Sequence, residues 1–255
     1  MSLEEMLLIV CPLVFFASFV DAIAGGGGLI SLPAYMLSGM PAHLAIGSNK
    51  MSAAIGTLIS TIRFIRSGSF HLRIALQTAA ASIFGSVLGA NIALYLSDYY
   101  LRLAMLILLP GVAIFVLFNQ QQINDENLTD KISPTKMFIL SMIVGVAIGC
   151  YDGFFGPGTG TFLIIAFTAV LGFDLKTACG NTKIVNLTTN IAALVVFIQA
   201  GQVYYQVALP AAVFSIMGNW LGSGLAIKKG AKFIKPVMVV VLCVLLCKLI
   251  FDFFS

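Results

Sequence analysis

Apolar runs, separated by short polar or glycine-rich breaks, fill the chain and predict ten helical segments. Eight of them are about 20 residues long, which is enough to cross a hydrocarbon core of ~30 Å. The other two, 28–40 and 159–171, are too short to cross it comfortably, and each follows a glycine-rich break. The pattern predicts an all-α polytopic membrane protein. The predicted segments are 5–24, 28–40, 43–65, 73–96, 101–118, 136–155, 159–171, 176–199, 205–227 and 236–254.

Composition supports a membrane protein. Of the 255 residues, 60% are hydrophobic and 9% are charged, whereas about a quarter of the residues in a soluble domain are charged. The longest polar stretch is residues 119–135, so no soluble domain is expected. The N-terminus lacks the basic region of a cleaved signal peptide, and we expect the first apolar run to be retained. The net charge of +4 is modest and gives no indication of a nucleic-acid partner.

The second half of the chain repeats the first at an offset of 133 positions. The stretch "FIRSGSF" (64–70) aligns with "FIQAGQV" (197–203), and "GSVLGANIA" (85–93) aligns with "GNWLGSGLA" (218–226). Lys50 aligns with Lys183, and a shift of two residues aligns Asp21 with Asp152. We interpret this as a tandem duplication of five segments. It divides the chain into an N-terminal membrane repeat (1–118), a polar linker loop (119–135) and a C-terminal membrane repeat (136–255).

Equivalent loops of the two repeats have opposite basicity. The 66–73 loop contains Arg66 and Arg73, whereas its equivalent, 200–205, has no cation. The 97–101 loop has no cation either, but its equivalent, 227–235, contains four lysines. By the positive-inside rule, equivalent loops then lie on opposite sides of the membrane, as an odd number of crossings per repeat requires. The sequence thus predicts a 5+5 inverted repeat in the cell inner membrane with both termini on the extracytoplasmic side.

Two glycine-rich breaks, "DAIAGGGG" (21–28) and "YDGFFGPGTG" (151–160), each separate a long segment from a short one. Glycine accepts positive φ and lets other atoms approach its backbone, and Pro157 interrupts the helical hydrogen-bond ladder. Freed N–H groups in a bilayer require protein or a water-filled cavity around them. The N-terminus of each short helix offers such groups and the positive end of a helix dipole, which suit an anion. One glycine cluster alone would indicate close helix packing, but a symmetry-related pair favours a binding site.

The motifs "GSNK" (47–50) and "GNTK" (180–183) place Lys50 and Lys183 within apolar segments. A charge at the centre of a spanning helix costs about 2.5–3.5 kcal/mol on insertion scales, so each lysine needs a partner or water. Two compatible hypotheses follow. The lysines bind an anionic substrate, or they form structural ion pairs with Asp21 and Asp152. A lysine that leaves its acid when substrate arrives would act as a gate.

Asp21 and Asp152 have three candidate roles that the sequence leaves open: lysine partner, proton carrier, or stabiliser of the helix break. Asn186 and Asn190 follow Thr182 at helical spacing and extend a polar stripe. The five cysteines show no metal-ligand spacing, and no catalytic arrangement of Ser, His, Cys and Asp is readable. Neither glycine motif has the Gly-Lys-Ser/Thr of a nucleotide-binding loop. We therefore expect no enzyme, no cofactor and no metal site.

The stretch "DAIAGGGGLISLP" (21–33), the following "GSNK" and the later "YDGFFGPGTG" resemble the TauE/SafE family, also called the TSUP or sulfite-exporter family. The resemblance covers essentially the whole chain and includes both copies of the duplicated motifs. It implies export of a small sulfur-containing or carboxylate anion such as sulfite, a sulfonate or sulfoacetate. The two halves differ at the motifs, so the substrate need not lie on the pseudo-axis. The resemblance implies anion contact at Gly25, Gly26, Gly27, Gly28, Asn49, Lys50, Gly156, Gly158, Thr159, Asn181 and Lys183.

The predicted function is a secondary transporter for a small organic or sulfur oxyanion, and the two acids would allow coupling to protons. Its expected partners are the anionic substrate and membrane lipid, and it would be a monomer or a homodimer. One alternative is a cation or metal permease that uses Asp21 and Asp152, against which the lack of an intramembrane His/Cys/Asp cluster counts. The other is a membrane scaffold protein that transports nothing.

Overall fold

The computed structural model describes residues 1–101, 103, 104, 107 and 127–229. The predicted segment 236–254, nearly all of segment 101–118, and the first part of the predicted linker lie outside the described residues. Within the described ranges the regular structure is helical, and a short 3₁₀ turn, Thr129–Lys131, precedes the second half. The helices are α1 (Leu3–Ala24), α2 (Gly28–Leu37), α3 (Ala42–Arg66), α4 (Leu72–Tyr95), α5 (Pro134–Phe154), α6 (Thr159–Ile165, continued by a π-helical turn, Ala166–Val170), α7 (Leu175–Gln199) and α8 (Tyr205–Lys229).

Five of these helices, α1, α4, α5, α7 and α8, are long and apolar enough to cross a membrane. Helix α3 has 25 residues and is equally long, but much of its surface is polar. Its polar side chains, including Ser48, Lys50 and Thr57, are buried in the protein interior. A helix enclosed by other helices does not need an apolar surface toward lipid. The all-α polytopic architecture predicted from the sequence is confirmed, and α2 and α6 are the two short segments.

Side-chain caps fix where several helices begin. Ser2 and Glu5 form a capping box at the start of α1, with the Ser2 N–H donating to Glu5 Oε2 at 2.9 Å. Ser133 caps α5, and Asp174 caps α7 by accepting the Thr177 N–H at 3.0 Å. These caps satisfy backbone donors that an isolated helix would leave open.

Glycines allow α1 and α8 to pack with their backbones in contact and set their relative direction. Gly218 lies against the backbone of Phe15 and Phe19, and Gly222, one turn later, lies against Phe19 and Ala22. Increasing residue numbers on one helix meet increasing numbers on the other, so α1 and α8 run in the same direction. Small residues at such contacts are typical of helix pairs in membranes.

The repeat relates the pair α1 and α8 to a second pair, α4 and α5. Gly85 lies against Val146 and Cys150, and Gly89 lies against Cys150 and Phe154, so these two helices also run in the same direction. Each contact thus joins the last described helix of one half to the first helix of the other.

The two halves run in opposite directions. Helix α3 runs with α8, because Gly47 contacts Gln202 and Gly56 contacts Ser215. Helix α3 runs against α7, since Gly47 also lies near Phe197, whereas Thr61 donates to the carbonyl of Lys183. Equivalent helices α3 and α7 are therefore antiparallel, as an inverted repeat requires. The sides of the membrane and the exact limits of the repeats remain predictions.

Candidate functional site

The two glycine-rich breaks contact each other at the centre of the described helices. Gly25 has φ +72° and packs on the backbone of Gly160 and Thr161, and a Cβ atom at Gly25 would lie 2.3 Å from the carbonyl carbon of Gly160. A Cβ atom at Gly28 would lie 3.0 Å from the Cα of Pro157. The glycines therefore let two broken helices meet backbone to backbone. At Gly25 this close backbone contact is enough to explain why the residue is a glycine.

The beginning of α2 presents backbone donors. The N–H of Gly27 donates to Asp21 Oδ1 at 3.2 Å. The N–H groups of Gly26 and Gly28 have no hydrogen-bond partner within the described part of the chain. A buried N–H group without a partner costs free energy unless water or a ligand accepts its hydrogen bond.

A small cavity of about 40 Å³ lies where the breaks meet, enclosed by α1, α2, α3, α5, α6, α7 and α8. Twelve of the residues singled out from the sequence line it, whereas Gly25, Asn181 and Lys183 do not. The twelve are Asp21, Gly26, Gly27, Gly28, Asn49, Lys50, Asp152, Gly156, Gly158, Thr159, Asn186 and Asn190.

Lys50 forms a buried ion pair across the two halves. Its Nζ lies 2.9 Å from Asp152 Oδ2, and the side chains are 1% and 2% exposed, respectively. Asp152 is the partner of Lys50 among the described residues, and both line the cavity. Gly156, with φ +94°, lies directly beside the pair, and a Cβ atom there would lie 3.0 Å from Lys50 Nζ.

Lys183 forms the symmetry-related pair with Asp21. Its Nζ lies 2.8 Å from Asp21 Oδ2 and also donates to the backbone carbonyl of Asp21. Since Asp21 Oδ1 accepts the N–H of Gly27, one carboxylate joins α7, the end of α1 and the start of α2. The ion-pair hypothesis is thus confirmed for both lysines. The two pairs together carry no net charge.

The remaining motif residue, Asn181, has a structural contact. Its Oδ1 accepts the N–H of His71 at 2.8 Å and so ties α7 to the start of α4. Asn49, the counterpart of Thr182, is 7% exposed and lines the cavity, and its buried Oδ1 has no hydrogen-bond partner within the described ranges. Ser48, the counterpart of Asn181, accepts the N–H of Tyr204 through its Oγ at 2.9 Å, so both copies of the motif bind the backbone just before a helix of the other half.

The polar stripe of α7 faces the cavity as a hydrogen-bonded pair. Asn190 Nδ2 donates to the backbone carbonyl of Asn186 at 2.7 Å and to Asn186 Oδ1 at 3.1 Å. An amide nitrogen that donates to a carbonyl has a fixed orientation, because that oxygen can only accept. Because Asn186 Oδ1 accepts this hydrogen bond, the Asn186 Nδ2 remains as a donor at the cavity.

Sequence reasoning missed seven cavity residues. On α1 and α3 a helical spacing signal was present, since Ser18 lies about one turn before Asp21 and Thr57 lies two turns after Lys50. Gly160 belongs to the quoted second break. Asn219, on α8, is attached to no motif and has no sequence signal. The seven are Ala17, Ser18, Ser31, Ala53, Thr57, Gly160 and Asn219.

A buried polar cavity between two broken helices of an inverted repeat is the arrangement of membrane transporters. A family model described as "Sulfite exporter TauE/SafE" matches residues 10–249, and the chain belongs to this family. No solved structure matches the chain.

Three relatives span nearly the same length. A "Probable membrane transporter protein" of Haemophilus influenzae is 33% identical and covers 97% of this chain and 96% of its own. "Probable membrane transporter protein ORF9" of Sinorhizobium sp is 34% identical, covering 93% of this chain and 90% of its own. "Probable membrane transporter protein YfcA" of Escherichia coli is 35% identical, covering 92% of this chain and 86% of its own. The protein is accordingly a multi-pass membrane transporter.

Proposed function

We propose that the protein is a secondary transporter that binds a small organic or sulfur-containing anion, such as sulfite, a sulfonate or sulfoacetate, in the central cavity. The observation that carries the proposal is the set of donors on its wall. The Lys50 ammonium, the Asn49 side-chain amide and the N–H groups of Gly26 and Gly28 all line the same cavity, and the last three have no hydrogen-bond partner among the described residues.

The wall suits an anion for two reasons. The free N–H groups lie at the N-terminus of α2, a helix of 10 residues, where the helix dipole is positive. Ammonium and amide donors can replace the water shell of an oxyanion as it leaves solvent. The volume of the cavity corresponds to roughly three water molecules, which is close to the size of sulfite or the head of a short sulfonate.

A cation permease is less well supported, because both carboxylates at the cavity are engaged. Asp21 and Asp152 lie 2.8 and 2.9 Å from lysine ammonium groups, so a cation would have to displace a lysine from each acid that it used. A scaffold function gives no reason for burying lysines, amides and free N–H groups around a cavity, since each costs free energy to bury.

The proposal also covers the kind of anion, the direction of transport, the orientation in the membrane and the oligomeric state. The family name supports a sulfur oxyanion and export. The charges of the loops support an inner-membrane location with both termini on the extracytoplasmic side. A monomer or a homodimer suits a substrate site that lies within a single chain.

The test compares two lysines that differ in their access to the cavity. Full-length protein in detergent is titrated with sulfite, methanesulfonate, sulfoacetate, sulfate and acetate, and binding is followed by thermal shift and calorimetry. Lys50→Met should abolish binding of every anion that stabilises the wild type. Lys183→Met breaks the equivalent ion pair through a lysine that does not line the cavity, and it serves as the matched control, which should lose stability but keep more of its affinity.

The proposal fails if no anion binds the wild type while metal cations stabilise it. It also fails if Lys50→Met binds anions as tightly as the wild type does. To separate binding from folding, the double variant Lys50→Met/Asp152→Asn removes the pair without leaving a charge unpaired.

A further inference from the structure

The two ion pairs at the cavity are related by the repeat but have different surroundings. Asp21 has two partners, Lys183 Nζ and the N–H of Gly27, and its side chain is 16% exposed to solvent. Asp152 is 2% exposed and has one partner, Lys50, within the described part of the chain. Lys183 also donates to the Asp21 backbone carbonyl, whereas Lys50 has no second acceptor there.

The cavity touches the two pairs unequally. Lys50 lines it, so an anion can reach the Lys50 ammonium directly, but Lys183 does not. This inference rests on the anion site proposed above. When the anion binds there, it replaces the Asp152 carboxylate as the partner of Lys50. The Asp21–Lys183 pair holds the break between α1 and α2 in place during this exchange.

That exchange would leave Asp152 as a buried carboxylate with no partner. An isolated buried charge costs many kcal/mol, and such a group takes up a proton instead. We infer that Asp152 is the proton-coupling residue and that it binds one proton when the anion displaces it from Lys50. A proton from water adds to the carboxylate to give a neutral acid, and Lys50 keeps its positive charge beside the anion. A singly charged anion and the proton then move together in one direction as an electrically neutral load.

The other charged groups at the site do not provide this neutralisation. Among the described residues, the charged ones that line the cavity are Asp21 on α1, Lys50 on α3 and Asp152 on α5. Lys183 on α7 is committed to Asp21, and the Tyr151 hydroxyl, beside Asp152, donates to the carbonyl of Pro157. The lining residues from α2, α6 and α8 are uncharged. Asp152 is therefore the acid that loses its partner when Lys50 binds the anion.

Proton uptake on binding tests the inference directly. Full-length protein in weak buffer near neutral pH is mixed with methanesulfonate, whose own charge does not change in this range, and a pH indicator reports protons taken up. The wild type should take up about one proton per anion bound. Its apparent Kd should rise about tenfold per pH unit where the free protein holds Asp152 ionised. Asp152→Asn should bind with no uptake and with a Kd that is independent of pH.

Two controls make the result specific. Asp174→Asn removes a carboxylate outside the cavity but keeps a residue that caps α7, and it should take up the proton as the wild type does. Asp21→Asn/Lys183→Met removes the other pair as a unit. The inference is overturned if uptake disappears in this double variant and persists in Asp152→Asn, because Asp21 would then be the carrier.

Failure of the two proposals can be distinguished. A wild type that binds methanesulfonate or sulfate without taking up a proton overturns the role of Asp152 and leaves the anion site standing. A wild type that binds no anion overturns both. If Asp152→Asn does not fold, Asp152→Glu keeps the acid and must retain uptake, and proteoliposomes of the wild type must acidify as the anion enters.

Discussion

Lys183 Nζ lies 2.8 Å from Asp21 Oδ2, and this contact joins the middle of α7 to the end of α1, 162 positions earlier in the chain. Lys50 and Asp152 repeat the contact in the opposite sense at 2.9 Å. Each half of the chain supplies the acid for one pair and the base for the other. The pairs therefore hold the two repeats together at the level of the helix breaks.

Replacing one member of an ion pair should destabilise the protein far more than replacing both members. Lys183→Met leaves Asp21 without its lysine and should lower the free energy of unfolding by about 3–5 kcal/mol. The double variant Lys183→Met/Asp21→Asn should recover most of that loss. Unfolding in mixed micelles measures both. Equal losses in the single and double variants would show that packing of the lysine stem, rather than its charge, is what matters.

A side chain at the crossing of the two breaks should not be tolerated. Gly25→Ala places a Cβ atom 2.3 Å from the carbonyl carbon of Gly160, so one backbone must move, and we expect a loss of about 4 kcal/mol or more. Gly39→Ala is the matched control, since Gly39 also has positive φ (+87°) but no atom of the described residues lies within 4 Å of its Cβ position. Its cost should be the backbone strain alone, about 1–2 kcal/mol. Thermal melts in detergent compare the two, and similar melting temperatures would contradict the close contact.

Much of the architecture was readable because membrane insertion and duplication leave strong signals. The length of apolar runs predicted the helices, and the reversed charges of equivalent loops predicted the inversion that the helix directions display. The ion pairs were one of the two hypotheses for the lysines, since buried lysines need acids and the breaks supplied two. That Lys50 lines the cavity and Lys183 does not was not predicted, because the two motifs give their lysines the same sequence signal.

Other parts of the site were beyond sequence reasoning for physical reasons. Asn49 and Thr182 occupy equivalent motif positions, yet Asn49 lines the cavity and Thr182 does not. Asn219 reaches the cavity from α8 only because glycines such as Gly218 and Gly222 bring α8 against α1. Tertiary contacts of this kind leave no local pattern to read.

The proposed orientation can be tested by labelling two exposed loops. Ser67→Cys follows the basic end of α3, and Ala200→Cys follows α7 in the equivalent, uncharged loop. In an otherwise cysteine-free chain, a membrane-impermeant maleimide should label Ala200→Cys in intact cells and Ser67→Cys only after permeabilisation. The reverse pattern would place both termini in the cytoplasm, and labelling of both in intact cells would contradict the inversion of the loops.

The unequal roles of the two motif asparagines lead to the sharpest test of the cavity. Asn49→Ala removes an unpartnered amide from its wall, and loss of a hydrogen bond to a charged ligand should cost about 1.5–3 kcal/mol, or at least about tenfold in affinity. Asn181→Ala removes the acceptor of the His71 N–H, so it should lower stability by about 1–3 kcal/mol while anion affinity changes less than about twofold. Calorimetric titration with the best-binding anion and a thermal melt of each variant give both quantities. If Asn181→Ala weakens binding as much as Asn49→Ala does, the anion lies nearer to α4 and α7 than the cavity does, and the substrate site must be moved there.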